Sequence, residues 1–151
     1  LTYCQQKKGL KIYAWVLMSN HLHMLVSVGQ GHTLADVVRD FKKFTSKKIL
    51  AELEEDVQES RREWMLEHFR CSAASDGKST GYRFWQDGYH PEAVWLLDFY
   101  QQKLEYIQSR AAGACGTAGG ILVQLCRRLC RWQGIAGAGD ALKLRPFRFV
   151  I

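Results

Sequence analysis

The 151-residue chain has no C-x-x-C pair, no apolar run near the roughly 20 residues of a membrane-spanning helix, and no internal repeat. Each absence removes a class. Five cysteines (Cys4, Cys71, Cys115, Cys126, Cys130) form an odd set without paired spacing, which argues against a closed disulfide framework. Cys126 and Cys130 have no nearby histidine pair to complete a zinc site. With neither a span nor a legible signal peptide, the expectation is a cytoplasmic protein with reduced thiols and no membrane partner. Acidic residues are also short: 15 Asp and Glu stand against 21 Lys and Arg, a formal charge of +6. Such a balance favours a polyanionic partner, since Lys and Arg release counterions from nucleic acid, although many basic proteins bind none. What remains, 47% apolar and 24% charged residues, is the composition of one ordinary globular domain.

Leu10 to Met18 (LKIYAWVLM) and Leu22 to Val28 (LHMLVSV) are rich in β-branched and aromatic side chains, and Ser19-Asn20 reads as a tight turn. The pair predicts an antiparallel hairpin whose second strand starts at or just before His21. After Gly29-Gln30-Gly31-His32, Thr33 is placed to cap a helix with an apolar stripe of Leu34, Val37, Val38, Phe41 and Phe44. Arg39, Lys42, Lys43, Lys47 and Lys48 fall away from that stripe, as either a solvated face or a phosphate-contacting one. Ser60 to Phe69 predicts a short amphipathic helix, and Cys71 to Gly81 a polar loop. Tyr82 to Gln86 predicts a third strand, ended by His90-Pro91, and Ala93 to Gln108 a further helix through Leu97, Tyr100, Leu104 and Ile107. Beyond Gln108 the character changes: a run of small residues, Ala111 to Gly120, leads into a basic, weakly periodic tail.

Alternation along a strand sends His21 and His23 to one face and Leu22, Met24, Val26 and Val28 to the other, so two imidazoles can reach one metal ion. An H-x-H alone is more often structural. The fourteen-residue string Tyr13 to Val26 (YAWVLMSNHLHMLV), however, closely resembles the histidine-motif hairpin of the single-tyrosine His-hydrophobic-His transposases, in particular the REP-associated tyrosine transposases. The resemblance runs on through Asp40 to Ser46 (DFKKFTS), Phe84-Trp85-Gln86 with His90-Pro91, and Lys103 to Ile107 (KLEYI), covering about residues 1 to 107.

That resemblance implies an α+β, ferredoxin-like antiparallel sheet with helices packed on one face, acting on single-stranded or hairpin DNA, with relatives working as homodimers. It implies that His21 and His23 hold a divalent metal, Mg2+ or Mn2+, and that Tyr106 attacks the scissile phosphate to give a 5′-phosphotyrosine. Without the resemblance, Tyr3, Tyr13, Tyr82, Tyr89 and Tyr100 are equal candidates. Two departures stand out. The family's first strand and most of a helix precede the stretch matching Leu1 to Gln5, so the first strand is expected to be missing. After the tyrosine the family's Y-I-x-x-N-P-V-x-x-G-L-V continuation is absent, and Arg110 stands where relatives carry an Asn or Gln that completes the metal site; a cation there opposes a metal.

One nucleotide string can encode Gln108 onward in one frame and, in the next, a peptide with NPV, GLV, YSSA and GLL in the family's order. Residues 1–107 therefore read as a catalytic domain and 108–151 as a frameshifted tail, poorly ordered or non-native. Three functions compete: a DNA nicking and joining transposase by descent, inactive or not in this chain; a non-catalytic nucleic-acid-binding remnant; and a metal-binding or structural domain.

Overall fold

The computed structural model describes residues 1–18, 21–76, 81–117 and 147–150. The elements run α1 (Thr2–Lys8), β1 (Leu10–Leu17), β2 (Leu22–Val28), α2 (Leu34–Glu55), α3 (Arg62–Asp76), β3 (Glu92–Val94), α4 (Leu97–Thr117) and β4 (Phe147–Val150). They make an α+β fold, the class expected, in two compact units: residues 1–38 with 89–151, and residues 39–88.

The first unit is built on an antiparallel sheet in the order β1-β2-β4-β3. The β1–β2 hairpin forms as the sequence predicts. The turn expected at Ser19-Asn20 lies outside the described residues, but the amide of Met18 donates to the carbonyl of His21 across it (2.8 Å). A bulge between Ile12 and Ala14 shifts the register, so Ile12 faces Val26 and Ala14 faces Leu25. A bulge leaves an extra residue in one strand and turns it locally; here that residue is Tyr13, whose hydroxyl is 3.0 Å from the Ser27 hydroxyl. At the other end α1 stops at Gly9, whose positive φ of 61° suits a residue without a Cβ. Its carbonyl accepts from the Gly29 amide, tying the two strand ends together.

Helix α4 covers one face of the sheet. Tyr13, Val16, Leu25, Val94, Tyr100 and Ile107 form its buried core, with Ala14, Met18, Phe99 and Leu104 packed around. Of the expected Leu97/Tyr100/Leu104/Ile107 stripe, Tyr100, Leu104 and Ile107 face the core while Leu97 is exposed, and the helix starts at Leu97, later than Ala93, because Glu92–Val94 pairs with β4. The boundary read at 107/108 falls inside α4, which continues to Thr117, and Phe147–Val150 enters the sheet between β2 and β3. The rest of the expected tail, 118–146 and 151, lies outside the described residues.

In the second unit the strand expected at Tyr82 to Gln86 is not formed. Side chains hold that segment against helices instead. The Trp85 indole N–H donates to Thr45 Oγ1 (2.9 Å), its ring lies 6.1 Å from that of Phe41, and Phe84 and Phe69 rings are 5.3 Å apart. The Arg83 amide donates to the Phe69 carbonyl (2.9 Å). Helix α3 begins at Arg62 and runs to Asp76, past the predicted end at Phe69 and through the start of the predicted loop.

Candidate active site

Strand β2 supplies the first half of the site. His21 stands immediately before it and His23 is its second residue, and the alternation of the strand brings both to the face that α4 covers. Their ring centroids are 4.6 Å apart at 90°. His23 is 5% exposed. Burial, followed by the charges of His21, Lys103 and Arg110, holds its imidazole below the usual histidine range, which favours the neutral ring and its metal-binding lone pair.

Helix α4 supplies the second half. Ile107 is buried in the core, and a step of one residue turns the helix by about 100°, which leaves Tyr106 at the rim, 36% exposed. The Tyr106 ring centroid lies 5.3 Å from that of His23. Tyr13 and Tyr100 are instead buried core residues packed edge to face, and burial raises the Tyr100 phenol above its usual value. His21, His23 and Tyr106 are therefore brought together.

Residues 103, 106 and 110 recur at helical spacing and share that side of α4. The Arg110 guanidinium carbon is 5.3 Å from the centre of the Tyr106 ring. Lys103, which the sequence reading did not single out, pairs with Glu92 (2.7 Å), lies over the Phe99 ring and adds positive charge near His23. The three-and-four spacing to Tyr106 and Arg110 was the signal available for it. Two imidazoles are chemically suited to a divalent transition ion. Among the described residues no group of three or more His, Cys, Asp or Glu side chains could surround one. The two imidazoles thus offer an ion two ligand positions.

The basic residues of α2 belong to the second unit. Arg39, Lys43, Lys47 and Lys48 are exposed; Arg39 pairs with Asp40 (3.0 Å) and Lys48 approaches Glu52 (4.0 Å). Lys42 differs from the expectation: it is half-buried and donates to the backbone carbonyls of Gln86 and Gly88, so its ammonium is engaged within the fold. Phe44, placed on the apolar stripe by periodicity, is 65% exposed, and Thr45 takes the buried position. The Thr45 hydroxyl can go inside because it donates to the Phe41 carbonyl (2.8 Å). No helix among the described residues is long and apolar enough to cross a membrane.

A family model described as "Transposase IS200 like" matches residues 1–109. No curated protein and no solved structure matches the chain.

Proposed function

Because the chain belongs to the IS200-like transposase family, we propose that it nicks and rejoins single-stranded DNA through a 5′-phosphotyrosine on Tyr106. The observation that carries this reading is the meeting of three rings from two elements: His23 beside His21 and, 5.3 Å away, Tyr106. Tyr106 Oη attacks the phosphorus as its proton passes to water. The Oη–P bond forms, the P–O3′ bond breaks, and the 3′ oxygen leaves as a hydroxyl after taking a proton from water. The phosphoryl group stays on the tyrosine with its bond energy conserved, so an incoming 3′ hydroxyl can reverse the step and join a new end.

His21 and His23 are the residues that would hold a divalent ion, Mg2+ or Mn2+, which supplies positive charge to the phosphoryl oxygens. The buried, neutral His23 fits that role, while the ring of Tyr106 at the rim stays open to a strand of DNA. Exposed Arg39, Lys43, Lys47 and Lys48 on α2 are suited to backbone phosphates of single-stranded or hairpin DNA, and Lys42 to holding the fold of its own unit. A second copy of the chain and a place among REP-associated relatives belong to the same reading. So does a reading-frame change near Gln108, which the gene's nucleotide sequence decides: one unable to encode the shifted peptide rejects it.

The test is incubation of the purified chain with labelled hairpin DNA and Mn2+, followed by denaturing electrophoresis. A protein–DNA band that disappears in Tyr106→Phe supports the proposal. Absence of a band together with salt-dependent DNA retardation supports a non-catalytic binder, a reading favoured by Arg110 beside the tyrosine and by the two-histidine donor set.

A further inference from the structure

The charge at the site is the opposite of what a preformed cation site needs. On its α4 side stand Arg110, over the Tyr106 ring, and Lys103, whose ammonium is balanced by Glu92. Among the described residues no carboxylate joins the two imidazoles to make a three-ligand set. A divalent ion arriving alone meets two imidazole rings with a guanidinium close beside them. A phosphate arriving first meets a guanidinium with five N–H donors in a planar fork, the geometry that suits phosphate oxygens.

We infer that Arg110 makes the His21–His23–Tyr106 cluster an anion seat in the free chain, so that the DNA phosphate enters before the divalent ion and completes its ligand set. This rests on the reading of these three residues as the nicking site. DNA and metal then bind with positive coupling, and by linkage each tightens the other by the same factor. The phosphate neutralises Arg110 and contributes oxygen donors, which hard divalent ions prefer. Arg110 is in this sense a substrate-positioning residue that also sets the order of binding.

The experiment measures Mn2+ binding by electron paramagnetic resonance on the full chain carrying Tyr106→Phe, so that no DNA is cleaved, with and without a short single-stranded oligonucleotide. The oligonucleotide should tighten Mn2+ binding. Arg110→Asn should bind Mn2+ alone more tightly, about fivefold from the Coulomb effect of removing one full charge from a solvated site near a divalent ion and further where the amide oxygen joins the ligands. It should also weaken oligonucleotide binding in metal-free buffer, measured by fluorescence anisotropy. Arg110→Lys, which keeps the charge, should leave Mn2+ binding without DNA weak. The inference is overturned if Arg110→Asn changes neither affinity, or if the oligonucleotide leaves Mn2+ binding unchanged. His21→Ala separates the two levels: Mn2+ binding insensitive to it rejects the metal role of the histidines, whereas the metal-free DNA affinity of Arg110→Asn judges the anion seat on its own.

Discussion

Ile107→Ala is the most demanding test of how α4 places the tyrosine. Ile107 is 2% exposed and packed with Tyr13, Val16, Leu25, Val94 and Tyr100, so removing three carbons leaves a cavity that the sheet cannot readily close. Such truncations cost about 2–5 kcal/mol; for a site buried to this degree we expect about 3 kcal/mol. With an m-value of about 2 kcal/mol per molar urea, the unfolding midpoint should fall by about 1.5 M. Equilibrium urea unfolding followed by tryptophan fluorescence reads this directly. Tyr106→Phe, one residue away on the partly exposed side of the same turn, should move the midpoint by no more than about 0.3 M while abolishing the covalent DNA adduct. The reasoning is refuted if Ile107→Ala shifts the midpoint as little as Tyr106→Phe does, for then Ile107 is not what seats this helix.

Thr33→Ala should cost about 1 kcal/mol in the same assay, because Thr33 Oγ1 accepts from the Asp36 amide at the start of α2 (3.1 Å); an unchanged midpoint would show that the cap carries nothing. Replacing Lys43, Lys47 and Lys48 together by alanine should flatten the salt dependence of single-stranded DNA binding by about 2 in the log–log slope, at about 0.7 for each phosphate left without its lysine, and an unaltered slope removes α2 from the interface. For pH, burial and then the charges of His21, Lys103 and Arg110 lower the His23 pKa in the folded chain, which therefore binds fewer protons than the unfolded one. Its contribution to stability is complete above the ordinary 6.5 and is lost as pH falls through the lowered folded value. The urea midpoint should accordingly drop between about pH 7 and pH 5, and less steeply in His23→Gln; equal slopes would assign the acid sensitivity elsewhere.

The choice of His21, His23 and Tyr106 comes from the family resemblance, while local geometry accounts for how they can meet. Strand alternation puts His21 and His23 on one side, and helical spacing separates Tyr106 from Ile107, so the ring cluster follows once β2 and α4 meet. The segment Tyr82 to Gln86 shows where that logic ends. Its aromatic residues carry the composition of a strand, but β-propensity measures the fit of a side chain to a half-buried surface, and here helices α2 and α3 provide that surface. Phe44 and Thr45 show a similar limit, since periodicity counts apolar side chains and cannot see that a hydroxyl satisfied by the preceding turn is free to go inside. The strand Phe147–Val150 was not legible at all, because its pairing with Met24 to Val26 and with Glu92 to Val94 is wholly non-local.

That strand also sets an order of assembly. The β1–β2 hairpin and α4 are made of near neighbours in the chain and can form early, but β3 gains its ladder partner only when β4 arrives between it and β2. Pairings of such long sequence separation are slow to close, since loop entropy is lost before any hydrogen bond repays it. During synthesis the middle of the sheet stays open until Phe147–Val150 has left the ribosome, and the bare edge of β2 is then exposed to other strands. The yield of folded chain should therefore depend on how quickly β4 is delivered, rather than on how stable the hairpin is.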